Sequence, residues 1–213
     1  MPMAGDPDAE IPIFELPLAI LPGELMPLHI FEERYKRMID HCLDSSEPFG
    51  IVFRDDEQGA RRIGCTARVT EVLERFDDGR LDIVVTGEQP FRVLDRSEAA
   101  DYPAGEVEPI DREGEADETD EVAADIARDA FIELVERVSG SEPDPDDLAR
   151  DDAYSIAARV ELPSETKQEL LELRSEPRRM RVLGAALRAL VVAVDRSQEV
   201  AEQARMNGKV IVG

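Results

Sequence analysis

Apart from one short helical stretch early in the chain, the apolar residues change their spacing near Asp111, and that change restricts the folds open to it. Before that point they recur at every second residue in short runs, as in strands with one buried face. After it they recur at every third or fourth, as in helices. A pattern of one period does not settle as the other element. The expected class is therefore α+β: a β-rich amino-terminal part with one short helix, then a helical carboxy-terminal part with a long last helix. At 213 residues the chain suits one large domain or two small ones, burying roughly 70% of its unfolded surface.

In the first part, Ile11 to Leu16 and Met26 to Phe31 are short apolar runs separated by the turn Leu21-Pro22-Gly23-Glu24. Pro17, Pro22 and Pro27 direct these strands to sheet edges, where a missing N–H is tolerated. Over Glu32 to Asp44 the period becomes helical, with Tyr35, Met38, Ile39, Cys42 and Leu43 on one face. Phe49 to Phe53 reads as a buried strand. Ile63, Cys65, Ala67 and Val69 alternate with polar residues, and the phase slips by Val72, which predicts a bulge or bend. Asp77-Asp78-Gly79 predicts a hairpin turn, since Gly79 takes φ > 0 freely and Asp78 tolerates it. Leu81, Ile83 and Val85 return, and Phe91 to Leu94 and Ala104 to Ile110 add further strands. Six or seven short strands with one helix suggest a small barrel or pseudo-barrel.

In the second part, Ala123, Ala127, Phe131, Leu134, Val135 and Val138 mark a helix from about Thr119 to Ser139. Leu148 to Val160 reads as a second helix, and Ser164 as the N-cap of a third over Glu165 to Arg174. Pro177 suits the first turn of a long final helix whose Met180, Leu183, Leu187, Leu190 and Val194 form its stripe. Ala185, Ala186, Ala189 and Ala193 around that stripe point to the centre of a bundle. The resulting division is a β-rich part over 10–110, an acidic linker over 111–118, a helical bundle over 119–205 and a tail over 206–213.

Charge narrows the function. The 49 Asp and Glu against 25 Lys and Arg give −24 overall, distributed as −13 over residues 1–110, −13 over 111–152 and +2 over 153–213. Such a chain repels DNA phosphates and anionic membranes. The longest apolar run, Val182 to Val194, contains Arg188 and is too short to span a bilayer. The opening ten residues lack the pattern of a signal peptide. Two cysteines are too few for a secreted disulfide framework, so a cytoplasmic location is expected. Arginines number 22 and lysines three, and none of Lys36, Lys167 and Lys209 stands in a Gly-x-x-x-x-Gly-Lys-Ser/Thr phosphate loop, so a P-loop ATPase is excluded within this sequence.

Three stretches, taken in order, resemble one family. Residues 11–43, "IPIFELPLAILPGELMPLHIFEERYKRMIDHCL", are similar to the opening of the Lon protease amino-terminal domain, with its Leu-Pro-Leu, Pro-Gly turn, Pro-Leu-x-Ile-Phe-Glu and Arg-Tyr-x-x-Met-Ile. Residues 62–94 resemble that family's paired strands ending in a Gly-x-x-x-Phe-Arg-Val signature, here Gly87, Phe91, Arg92 and Val93. Residues 161–183, "ELPSETKQELLELRSEPRRMRVL", resemble its Pro-led helix with a Lys-Gln-x-Leu-Leu-Glu run. The resemblance implies a PUA-like β pseudo-barrel followed by a helical bundle that recognises and holds substrate. With no Walker sequence and no room for a Ser-Lys peptidase domain, the chain resembles the stand-alone members. The expectation is a non-enzymatic module that binds unfolded or specific protein clients, with a separate Lon-type protease as a further partner.

The candidate chemistry is sparse. Ser164-Glu165-Thr166-Lys167 matches Ser-x-x-Lys, but no Ser-Asp-Asn or Lys-Thr-Gly accompanies it; a helix cap followed by a solvated lysine is the simpler reading. His41 and Cys42 point about 100° apart on a helix, Cys42 falls on the apolar stripe, and no metal-ligand spacing or cofactor motif occurs. The acidic run from Asp111 to Asp129 reads as a soluble helix face, with a cation or a basic partner as the lesser reading. The resemblance makes Phe31, Tyr35 and Phe91 the candidate substrate-contact residues, and core anchoring is the alternative for each. An enzyme pocket built on a carboxylate or Cys42 is a second class of function. RNA binding through Arg61, Arg62, Arg68, Arg75 and Arg92 is a third.

Overall fold

A computed structural model describes residues 10–97, 101–110, 120–141 and 143–208. They fall into two units, one within Met1–Glu115 and Ala157–Arg174, the other within Ala116–Ile156 and Ser175–Gly213. The acidic linker expected over 111–118 lies outside the described residues, as do residues 209–213.

The strands of the first unit are β1 (Glu10–Leu16), β2 (Leu25–Ile30), β3 (Phe49–Asp55), β4 (Gly59–Ala60), β5 (Ile63–Arg75), β6 (Leu81–Ser97) and β7 (Ala104–Pro109), with α1 (Glu33–Ser45) between β2 and β3. Neighbours run β1-β7-β6-β5-β3, and β1 pairs in parallel with β3, from Ile13 opposite Gly50 to Leu16 opposite Phe53. That pairing closes the ring into a pseudo-barrel and removes the open edges of those strands. β2 adds to β6, and β4 to β3. Of the three prolines directed to edges, only Pro27 lies within a strand, and β2 pairs with β6 alone among the described strands.

Phe91 to Leu94 is not a separate strand: β6 continues for 17 residues through Pro90. Its first part pairs with β2 and its last part with β7, while β5 follows it along most of its length. Register shifts at Cys65/Ala67, Val69/Glu71 and Val72/Glu74 let the pair bend without stopping, and they account for the phase slip at Val72. At the hairpin only Gly79 takes positive φ, +82°; Asp78 stays out of that region and instead accepts hydrogen bonds from Arg80 through its carboxylate.

Inward alternation builds the barrel core, with Ile13, Val52, Phe91, Val93 and Val107 in one cluster. α1 buries Tyr35, Met38, Ile39 and Cys42. The Tyr35 ring lies 4.1 Å from that of Phe14, centroid to centroid.

The turn before β2 is fixed from two sides. Gly23 N–H donates to the Gly87 carbonyl at 2.8 Å, and Gly87 N–H donates to the Glu24 carbonyl at 3.0 Å. A Cβ on Gly87 would stand 2.1 Å from the Leu21 carbonyl oxygen, so this close approach requires glycine. Glu24 then points inward. One carboxylate oxygen accepts from Leu21 N–H at 3.0 Å and the other from Lys167 Nζ, both residues being less than 10% exposed.

Lys167 is therefore not solvated, as the sequence suggests, but half of a buried ion pair. It lies on α5 (Ser164–Glu172), which packs on the sheet rather than in the helical bundle. The neighbouring Gln168 donates to the Ile63 carbonyl of β5 at 3.1 Å. The N-cap of α5 is Pro163, with no side-chain cap bond, and Ser164 is already inside the helix.

The second unit is built on α2 (Glu121–Ser139) and α6 (Glu176–Gly208). Asp120 caps α2 by accepting from Ala123 N–H, and its carboxylate is held below its ordinary pKa first by the hydrogen bond from Arg181. α6 runs through Met206 rather than ending before it, and it buries Met180, Leu183, Leu187 and Val191 along one side. A Cβ on Gly184 would lie 3.4 Å from Ala127 Cα, which marks the close approach of the two helices. Ala185, Ala189 and Ala193 are exposed, so α6 is not packed from every side.

The helix expected over Leu148 to Val160 is two short pieces, α3 (Pro145–Leu148) and α4 (Ala153–Ala157). Arg128 donates to the carbonyls of Leu148 and Ala149 where α3 ends, and Asp151 N–H also donates to the Leu148 carbonyl, at 3.1 Å. Asp152 opens the next turn by accepting from Ser155 N–H.

Two substitutions test the anchored turn. Gly87→Ala should destabilise the first unit by about 2 kcal/mol through forced displacement of the turn. Lys167→Ala, which strands a buried carboxylate, should cost about 3 kcal/mol. Urea midpoints of the full chain measure both, and an unchanged midpoint in either variant contradicts the corresponding claim.

Candidate functional site

Successive side chains of a strand point to opposite faces, and β2 sorts its residues sharply on that basis. Met26 and Ile30 are buried inward, while Leu25, Pro27 and His29 face outward. Phe31 follows at the end of the strand. Leu25 is 65% exposed and Phe31 61%, so two large apolar side chains stand in water on one strand. His29 sits opposite Asp82 on β6, with Nδ1 2.5 Å from the carboxylate. Its ring lies 6.0 Å from Phe31 and 6.1 Å from Phe76, centroid to centroid, and the Arg80 guanidinium covers Phe76 at 4.8 Å. At the Leu25 end a groove of about 470 Å3 is walled by Leu18, Leu25, Met26, Pro27, Val160 and Leu162, with Glu24 and Lys167 also lining it. The buried ion pair thus fixes both walls of the groove, the turn before β2 and the start of α5.

The three aromatic candidates are not brought together. Phe31 is exposed beside His29. Tyr35, 6% exposed, is anchored on Phe14, and Phe91, 1% exposed, belongs to the core cluster. α1 begins at Glu33, so Phe31 and Tyr35 lie on either side of the strand-to-helix junction. Leu25, Pro27 and the Val160–Leu162 wall were not singled out from the sequence. The alternation of Leu25, Pro27 and His29 against Met26, Leu28 and Ile30 was the available signal; the far wall comes from a segment more than a hundred residues away and left none.

The reactive side chains are occupied or buried. Lys167 is engaged by Glu24 and does not serve Ser164 as a base. Burial pushes the Cys42 thiol up to about 12 and raises that of Cys65 as well, so neither is a thiolate near neutral pH. Arg61, Arg68 and Arg75 each pair with a carboxylate, Asp55, Glu88 and Asp40 respectively, which cancels much of the basic patch that RNA would need. Among the described residues no group of three His, Cys, Asp or Glu side chains is placed to hold a metal ion. No described helix is long and apolar enough to cross a membrane.

The fold recurs in solved structures. The Lon N-terminal domain protein from Xanthomonas campestris superposes with a TM-score of 0.60 at 21% identity, over 83% of this chain and 98% of that one. The N-terminal domain of the Mycobacterium avium complex Lon protease gives a TM-score of 0.67, also at 21% identity, over 84% and 98%. The chain belongs to the family of the ATP-dependent protease La (LON) substrate-binding domain, whose pattern matches residues 10–188. In sequence it is 24% identical over 210 residues to the Lon protease of Paraburkholderia phytofirmans and 26% identical over 201 residues to that of Anaeromyxobacter dehalogenans. The matches take in 91% and 84% of this chain but 26% and 23% of those proteases, so it spans about a quarter of their length.

The thiol environments give a direct check. Neither cysteine of the native chain should react with Ellman's reagent at pH 8 on the timescale in which a free thiol does, and both should react in denaturant. Rapid labelling of Cys42 in the native chain would revive a thiol-based enzyme.

Proposed function

We propose that this chain is a non-catalytic module that binds protein segments, taking an extended apolar stretch along the outward face of β2. The observation that carries the reading is the exposed row of Leu25, Pro27 and Phe31, continuous at one end with a groove whose apolar walls also carry Glu24, Arg159, Glu161 and Lys167. Apolar side chains at that exposure gain about 1.5 kcal/mol or more each on burial, enough for a few of them to hold a client without chemistry. The match to a substrate-binding domain supports the same reading. Unfolded segments are the favoured clients because an extended chain offers alternate side chains at the spacing of the row. A separate Lon-type protease is the proposed recipient, and two buried free thiols suit a reducing cytoplasm.

A fluorescein-labelled peptide of alternating Leu and Thr should bind the full chain saturably. Leu25→Asp and Phe31→Asp should each weaken it about tenfold, while Val200→Asp on α6 leaves it unchanged. Equal anisotropy titrations for all four proteins, with circular dichroism showing them folded, would remove β2 as the binding face.

A further inference from the structure

A cleft of about 540 Å3 opens beside the start of α1, and its walls reverse the charge that dominates the chain. Arg34 reaches it from the first turn of α1, Arg54 from β3 and Arg96 from β6, while its carboxylates are Glu15 of β1 and Glu32 just before α1. Three guanidinium groups against two carboxylates leave one positive charge, in a chain whose formal total is −24.

The arrangement is braced. Glu15, largely buried, accepts from Nη1 of both Arg54 and Arg96, and Arg96 also donates through Nη2 to the Arg61 carbonyl at 3.0 Å. Arg34 donates to Glu32 at 3.1 Å and lies 4.6 Å from the Tyr35 ring centroid. A guanidinium carries five N–H donors, so these contacts orient the three groups and leave donors for a ligand. Ile13, Pro103 and Ala104 add apolar surface beside the charges.

We propose that this cleft binds a single carboxylate of a protein segment, from the main-chain terminus or from an acidic side chain. The proposal takes the nature of its ligand from the peptide-binding reading above and is otherwise independent of the β2 row. One surplus positive charge matches a monoanion. A phosphate dianion or a nucleic-acid backbone carries more negative charge than the cleft's single surplus positive charge offsets, and Glu15, Glu32 and the field of a strongly acidic chain repel it more than a monoanion. Arginine forks also fit the planar carboxylate through paired N–H donors.

Amide chemical shifts of the uniformly labelled full chain test it, with four probes: N-acetyl-Leu-Ala as the free acid, the same peptide as its amide, N-acetyl-Asp-Ala amide, and inorganic phosphate. At least one of the two carboxylate peptides should shift the Glu33 and Arg34 amides saturably while the neutral amide does not; which of the two binds identifies the source of the carboxylate. Arg34→Ala, which leaves both partners of Glu15 in place, should weaken that binding about tenfold, and Arg34→Lys should restore part of it. Leu25→Asp should leave the titration unchanged, so failure of the β2 reading and failure of this one are separable. The proposal is overturned if the neutral amide produces the same shifts, if phosphate binds more tightly than either carboxylate peptide, or if Arg34→Ala titrates like the parent chain.

Discussion

The first unit depends on one buried polar contact, the pairing of Glu24 with Lys167. A buried charge with no partner is strongly unfavourable, so either residue alone would work against folding, and together they demand a single arrangement. The Pro-Gly turn must reach in far enough to deliver Glu24, which is possible only because Gly87 offers bare backbone beneath it. α5 must lie on the sheet to deliver Lys167. The groove beside β2 is what remains between these two constrained segments, so its shape follows from electrostatics as much as from packing.

Much of the pseudo-barrel was legible in the sequence because its determinants are local. Alternation located the strands, Gly79 located the hairpin, and the stripe from Tyr35 to Cys42 located α1. What was not legible depends on partners remote in sequence. Lys167 stands among glutamates at the start of a helix and looks solvated, since nothing near it reveals that Glu24 is waiting 143 residues earlier. Leu148 to Val160 has helical spacing, yet it breaks into α3 and α4, and the Leu148 and Ala149 carbonyls at the break accept from Arg128, twenty residues earlier. Phe31 and Tyr35 lie four residues apart, but Phe31 follows the end of β2 and is exposed while Tyr35 is buried by α1. The candidate site was read only in part for the same reason: composition marks Phe31 as large and apolar, while exposure is settled by where α1 begins.

The two proposed binding surfaces of the first unit differ in their chemistry. The β2 row is mostly apolar, and burial of apolar area is non-directional, which favours tolerance of sequence in the proposed client. The arginine cleft is directional and suits a single charged group held by orientated donors. A strongly acidic exterior around a small cationic site also lowers non-specific attraction to other polyanions.

The separation of Glu24 from Lys167 also has a meaning in time. A ribosome delivers the Pro-Gly turn early, and β1 has both its neighbours only when β7 has followed. Glu24 must wait longer still, for a lysine that emerges after α2, α3 and α4. Until then the nascent barrel carries an unneutralised acid where its interior is to be. The module therefore cannot mature from its amino terminus onward; its assembly is timed by the arrival of α5.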